Sequence, residues 1–187
     1  VSMFHSLELI DFNILWCIHQ ALLNPTLTVI MKAISAGSDK GICWIIIALI
    51  CLLKKQYRIL GLAIIVSLAI VLIGGDGILK HVVARTRPFV AHPEVVIPWL
   101  PADPSSYSFP SGHTFGAFAA AVAFYMGISD RFHNVQCIGI VMILFAILVG
   151  LSRLYMMAHY PSDVVAAAIL GIVVGIISWP LTISIPW

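Results

Sequence analysis

Charge is what this sequence has least of. Asp, Glu, Lys and Arg make up 10% of its 187 residues, against 61% that are hydrophobic, and the formal net charge is +2. Soluble domains carry about 25% charged residues, so a water-surrounded globule is excluded as the default reading. So small a net charge with no basic patch also argues against a nucleic-acid partner. Cysteine is scarce too. Cys17, Cys43, Cys51 and Cys137 lie in or beside apolar runs, share no metal-ligand spacing, and read as small core residues. No basic segment precedes the first apolar run, so a cleaved leader is not expected. Internal repeats and low-complexity tracts are missing as well, and residues 1–187 read as one domain.

What the sequence has instead is long uncharged stretches. Residues 59–75, 112–129, 135–152 and 164–181 contain no Asp, Glu, Lys or Arg over 17 or 18 residues, close to the ~20 that cross a ~30 Å hydrocarbon core. The shorter run 41–53 spans roughly 20 Å as a helix, enough if its flanks snorkel or the bilayer thins. Residues 3–22 mix Glu8, Asp11 and His19 with Leu, Ile, Phe and Trp at helical spacing, which predicts an amphipathic helix at the membrane interface. Asn24-Pro25 breaks it, and a second helical piece over 26–36 completes an N-terminal helical region of about 40 residues. The fold expected is therefore all-α, a polytopic membrane helix bundle of about six transmembrane helices with an amphipathic N-terminal helix.

Orientation follows from the basic residues. Lys54, Lys55 and Arg58 form the clearest positive cluster between apolar runs, and the positive-inside rule puts that loop in the cytoplasm. Counting spans from there places residues 88–110 outside and Arg131 inside. The external stretch holds six of the ten prolines; repeated proline favours a stiff extended loop over a regular helix, with Trp99 at the headgroup level.

Against this apolar background a few polar residues stand at the outer ends of the runs. Ionisable groups so close to hydrocarbon are costly and are read first as functional. Lys80 and Arg87 are seven apart, so on a continuous helix they share a face while Arg85 points elsewhere, and Pro88 ends the helix. Asp76, four before Lys80, is placed to pair with it. Phe109-Pro110-Ser111-Gly112-His113-Thr114 reads as a helix start, where free backbone N–H groups and the macrodipole favour an anion and Gly112 permits close approach. In Ser152 to Asp163, Arg153 closes one helix, His159 sits in a tight loop, and Asp163 lies in the first turn after Pro161, near enough to accept a hydrogen bond from one imidazole nitrogen and leave the other free to attack. Each motif alone has an ordinary structural explanation, as snorkelling bases, an N-cap serine or a core histidine. Together they would bury many polar groups to no purpose unless they face a ligand.

The order Lys80-(six residues)-Arg87-Pro88, Pro110-Ser111-Gly112-His113, and Ser152-Arg153-(five residues)-His159-(three residues)-Asp163 resembles the three-part signature of the type 2 phosphatidic acid phosphatase superfamily, in its membrane branch. The resemblance covers residues 80–163 and says nothing about the first 79. It implies a metal-independent hydrolase of phosphomonoesters or diphosphates, with no cofactor, that passes through a phosphohistidine. His159 would be the nucleophile, Asp163 its orienting carboxylate and His113 the acid for the leaving oxygen. Lys80, Arg87, Ser111, Gly112 and Arg153 would bind phosphoryl oxygens. A site at the lip of the bilayer suits a membrane lipid substrate. Small bacterial members of the family resemble undecaprenyl diphosphate phosphatases of the cell membrane, acting on its outer face. Phosphatidylglycerophosphate phosphatase and lipid A 1-phosphatase share the motifs. A lipid or anion transporter fits the buried polar residues less closely, and a divalent-metal hydrolase using His113, His159 and Asp163 is the remaining enzyme class. Oligomeric state has no signal in the sequence.

Overall fold

A computed structural model describes residues 2–95, 97, 99, 107–132 and 135–184, with side chains from residue 8 onward. The secondary structure of these residues is entirely helical. Helices α1 (Ser2–Leu22) and α2 (Pro25–Gly37) lead into α3 (Ile42–Leu53). Asn24 caps α2 by accepting from the Thr26 and Leu27 N–H groups, with Pro25 in the first position. Lys40 (φ 50°) and Gly41 (φ 71°) turn the chain through the left-handed region between α2 and α3. Helix α4 (Arg58–Val71) widens into a π-helical stretch, Leu72–Leu79, before α5 (Lys80–Val83) and the single turn α6 (Pro88–Ala91). Three long helices follow: α7 (Gly112–Arg131), α8 (Gln136–Tyr155) and α9 (Pro161–Ile183).

Helix α7 is the axis of the bundle. Ala117, Ala120, Ala121 and Ala123 are fully buried, packed with Trp44 and Ala48 of α3, Leu60, Ala63 and Ile64 of α4, Ala146 and Val149 of α8 and Trp179 of α9, while the equally buried Ala119 packs with Val71, Phe115 and Ala167. Small residues let helices approach closely where lipid offers no hydrophobic drive to associate them. The α7/α9 seam shows it on both sides. A Cβ at Gly171 would lie 2.7 Å from Phe118 Cβ, and one at Gly175 would lie 2.6 Å from Val122 Cβ. The large aliphatics of α8 and α9 instead face outward: Ile138, Val141, Leu144, Leu151, Val165, Ile169 and Ile176 are exposed.

Length and apolarity mark three stretches as able to cross a membrane, within Lys55–Ala91, Gln136–Tyr155 and Pro161–Ile183, and a fourth if α2 and α3, bent by 46° at their junction, count as one broken span. The expected six is thus met in part. The helix over 112–131 falls outside that set because its glycines and alanines, with His113, Thr114, Ser129, Asp130 and Arg131, make it less apolar than the other three. Helix α1 packs against the bundle. Leu15 packs with Met157 and Tyr160, and Phe12 and Trp16 with Trp99, at the end of the bundle where α8 finishes and α9 begins. Leu27 and Met31 of α2 reach the same end, against Tyr155, Met156 and Ala158. The proline-rich segment is not wholly extended: Pro88 starts a helical turn, and Trp99 Nε1 donates to the Met156 carbonyl at 3.4 Å. Residues 100–106 of that segment lie outside the described residues.

Candidate active site

The N-terminus of α7, the N-terminus of α9, the C-terminus of α8 and the break after α5 meet at one end of the bundle. The break differs from the sequence expectation. The helix carrying Lys80 stops at Val83, and Ala84 adopts a left-handed conformation (φ 48°), so Lys80 and Arg87 are not two turns apart on one helix. Arg87 is extended, as a residue before proline must be, and Pro88 opens a new turn instead of closing an old one.

His159 is almost fully buried. Its Nδ1 lies 2.7 Å from the Ser108 carbonyl oxygen, which can only accept, so Nδ1 carries the proton and Nε2 presents its lone pair. An Arg87 guanidinium N–H lies 3.4 Å from that Nε2, while the same nitrogen donates to the Ala158 carbonyl at 3.1 Å. Burial first, and then the positive charges of Arg153 and Arg87, hold the His159 pKa well below the ordinary imidazole value of 6.5. His113 also lies within electrostatic reach of the ring. The site therefore contains a neutral imidazole with one nitrogen tied to the backbone and the other beside a guanidinium.

Asp163 is fully buried but does not touch His159 as the spacing suggests. Its Oδ2 is 3.9 Å from Nδ1. The Ser108 carbonyl accepts the imidazole N–H, and the carboxylate instead accepts from the Ser108 hydroxyl at 2.5 Å, from the Tyr160 backbone N–H at 3.0 Å and from Arg85 at 2.6 Å. The last contact corrects the reading of Arg85. It turns into the molecule because the helix breaks one residue before it, and periodicity cannot be extended across Ala84. With Tyr160 as N-cap, its backbone N–H donating to Asp163 three residues on, the carboxylate also secures the start of α9.

The remaining candidates surround this centre. Lys80 Nζ pairs with Asp76 at 2.6 Å, as their spacing suggested, and Asp76 sits in the widened π stretch, a conformation that tends to mark functional positions. A Cβ at Gly112 would meet Asp76 Oδ1 at 3.4 Å and Lys80 Nζ at 3.5 Å, so the α7 N-terminus faces this pair with bare backbone. Ser111 is buried at the N-cap position; its hydroxyl bonds Thr114 Oγ1 at 3.0 Å, and its N–H donates to the Asp163 carbonyl at 3.4 Å. His113 Nε2 is 3.5 Å from Asp39, whose side chain is more than half exposed. Arg153 is buried and donates to the Ser35 hydroxyl, while its Nε finds no hydrogen-bond partner among the described residues. Also among the described residues, no three His, Cys, Asp or Glu side chains gather as a metal centre would require.

Sequence reasoning did not identify Asp11, Ser35, Asp39, Arg85 or Ser108. Ser108 carried a weak signal in its position two residues before Pro110-Ser111-Gly112-His113. The N-terminal residues reach the site only through tertiary packing.

Basic and imidazole groups are held together at one end of an apolar helix bundle. Residues 56–184 match the model of the PAP2 superfamily, and the chain belongs to that superfamily. Among curated relatives, it is 32% identical over 129 residues to an undecaprenyl-diphosphatase of Sulfolobus acidocaldarius, covering 68% of this chain and 58% of that protein. It is 37% identical over 89 residues to the undecaprenyl-diphosphatase BcrC of Bacillus subtilis, covering 48% of this chain and 41% of that one. The chain thus spans about half the length of these relatives. A lipid A 1-phosphatase of Rhizobium johnstonii is 37% identical over 98 residues, half of this chain and 36% of that protein. The fold matches the crystal structure of a transmembrane PAP2-type phosphatidylglycerolphosphate phosphatase from Bacillus subtilis with a TM-score of 0.77 at 20% identity, covering 97% of this chain and 88% of the other. It also matches Aquifex aeolicus LpxE with a TM-score of 0.63 at 25% identity, covering 90% and 93%. The chain is a multi-pass membrane protein with a PAP2 membrane phosphatase fold.

Proposed function

We propose that residues 1–187 act as one membrane-embedded phosphatase domain that hydrolyses a lipid phosphate or diphosphate without a metal ion, by way of a phosphohistidine at His159. The observation that carries this reading is the state of that ring. Nδ1 donates to Ser108 and Nε2 offers a lone pair beside the Arg87 guanidinium. A nucleophile so arranged needs no base to activate it.

In the first step Nε2 attacks phosphorus, the N–P bond forms and the bond to the leaving oxygen breaks. His113 supplies the proton that the departing oxygen takes. Arg87, Arg153 and Lys80 neutralise the equatorial oxygens, helped by Ser111 and the open backbone at Gly112; phosphoryl transfer depends chiefly on such positioning and charge stabilisation. In the second step His113, now the base, takes a proton from water, whose oxygen attacks phosphorus and expels the imidazole. Asp76 and Asp39 hold Lys80 and His113 in the free protein, and both carboxylates are exposed enough to yield to solvent as the phosphate enters.

The substrate we favour is undecaprenyl diphosphate, cleaved to undecaprenyl phosphate at the outer face of a bacterial cell membrane. The names of the Sulfolobus and Bacillus relatives support that choice. The Rhizobium relative supports a second reading, removal of a phosphate from lipid A; phosphatidylglycerophosphate is the third candidate. The test is turnover of purified protein in detergent micelles containing each of the three lipids and a soluble monophosphate, with and without excess chelator. Undecaprenyl diphosphate is expected to give the highest kcat/KM, unchanged by chelator and abolished in His159→Ala. Activity confined to the soluble ester would overturn the lipid assignment. Retained lipid binding and no turnover by the native protein would favour a transporter.

A further inference from the structure

We infer that Asp11 and Arg85 are positioning residues for the attacking imidazole, so that α1 is part of the enzyme and not a separate anchor; this rests on His159 being the nucleophile. The contacts form one unbroken chain. From α1, Asp11 Oδ2 meets Arg85 Nη2 at 2.7 Å. The other arm of the guanidinium, Nη1, meets Asp163 Oδ1 at 2.6 Å and the Ser162 hydroxyl at 2.7 Å. Asp163 Oδ2 accepts from the Ser108 hydroxyl at 2.5 Å, and the carbonyl of the same serine accepts from His159 Nδ1–H at 2.7 Å. A second path runs beside it. Asp11 Oδ1 accepts from the Ser162 N–H at 3.0 Å and Oδ2 from the Ser162 hydroxyl, which fixes the first turn of α9 next to Asp163.

The chemistry of each link argues for its residue type. Asp163 has no exposed surface, and a carboxylate there requires a cation. Arg85 serves two carboxylates at once because its planar fork presents separate N–H pairs, and its face lies 3.9 Å over the Tyr160 ring. A lysine has neither the fork nor the face. Asp11 in turn holds the arm of Arg85 that Asp163 does not use, and without it only Nη1 and the stacking on Tyr160 fix the guanidinium. The consequence reaches the nucleophile because Asp163 does not orient His159 directly. Orientation passes through the backbone of Ser108, and that backbone is held by what holds Asp163. The chain covers more than 150 residues of sequence yet ends at the atom whose tautomer decides whether Nε2 can attack.

The experiment compares Asp11→Asn, Arg85→Gln, Arg85→Lys and the double variant Asp11→Asn/Arg85→Gln with the native protein. Thermal melting and the folded fraction of each are measured in the same detergent. Quenched-flow phosphorylation of His159 is followed with an activated aryl phosphate. The native protein must first show a burst of acid-labile phosphoenzyme that His159→Ala lacks. If His159→Ala keeps the burst, the nucleophile is wrong and this inference falls with it. With the nucleophile established, Asp11→Asn is expected to lower the phosphorylation rate per folded molecule about 10- to 100-fold, with KM within about twofold, as misplacement of a reacting group does. Arg85→Gln should lose more, with Arg85→Lys between Gln and native. The double variant should fall no further than Arg85→Gln, because both act through one path. Native rates in folded Asp11→Asn, a loss that merely follows the folded fraction, or additive losses in the double variant would each overturn the positioning role while leaving His159 as nucleophile.

Discussion

The two histidines of the site differ most in what they can do with a proton. His159 Nδ1 is committed to the Ser108 carbonyl, so only Nε2 can gain one, and a proton there blocks attack. Burial and the charges of Arg153 and Arg87 oppose that proton and place the His159 pKa well below 6.5. The acid limb of kcat/KM, which reports the free enzyme, should therefore lie below pH 6.5. Arg87→Gln removes one opposing charge and should move that limb upward; a limb that stays put would separate His159 from it. The sign for stability follows from the same shift. The unfolded chain takes up a proton near the ordinary pKa and the folded chain does not, so stability falls as pH drops below about 6.5. His113, by contrast, is assigned the leaving oxygen. His113→Ala should slow cleavage of a lipid phosphate about 10²- to 10⁴-fold but spare an aryl phosphate whose phenolate departs unaided. Equal losses on both substrates would reassign the acid.

At the level of helices, much of the fold was readable because its signal is local. The uncharged runs over 135–152 and 164–181 become α8 and α9, and the caps at Asn24, Ser111 and Tyr160 fall where the Asn-Pro, Pro-Ser-Gly-His and Tyr-Pro steps indicate. Two features were not readable. The left-handed Ala84 carries no sequence cue, since glycine or asparagine is the usual occupant of that region; hence Arg85 was assigned to the wrong side. The service of Asp11, Ser35 and Asp39 to the site depends on pairings 74 to 151 residues apart in the chain, which leave no period to read. The gathering of Lys80, Arg87, His113, His159 and Asp163 could be anticipated from motif order, whereas the intervention of Ser108 between His159 and Asp163 needed coordinates. The α7/α9 seam gives a test at this scale. Gly175→Leu must force Val122 and the Ala119 carbonyl apart and should cost about 1–3 kcal/mol, read as a lower melting temperature. Leucine at the neighbouring exposed Ile176 should leave melting nearly unchanged, and equal effects at both positions would mean that the seam is not tightly packed.

For the whole molecule the helix directions leave two orientations of the site across the membrane. The α7 and α9 N-termini and the α8 C-terminus all lie at the site end, while Lys54, Lys55, Arg58 and Arg131 cap the opposite end, where Arg131 lies over the Trp179 ring. The positive-inside rule predicts the basic end in the cytoplasm and the site outside. On the proposed function, a lipid whose phosphate rests at the headgroup level would meet the site with its tails among the exposed aliphatics of α8 and α9. Single cysteines in a cysteine-free background separate the two orientations. Glu94→Cys, at an exposed position beyond α6 on the site side, should react with a membrane-impermeant maleimide on intact cells. Gln56→Cys, between α3 and α4, should react only after the membrane is opened. The reverse pattern would put the site on the cytoplasmic face, and the undecaprenyl diphosphate assignment would lose its topological ground.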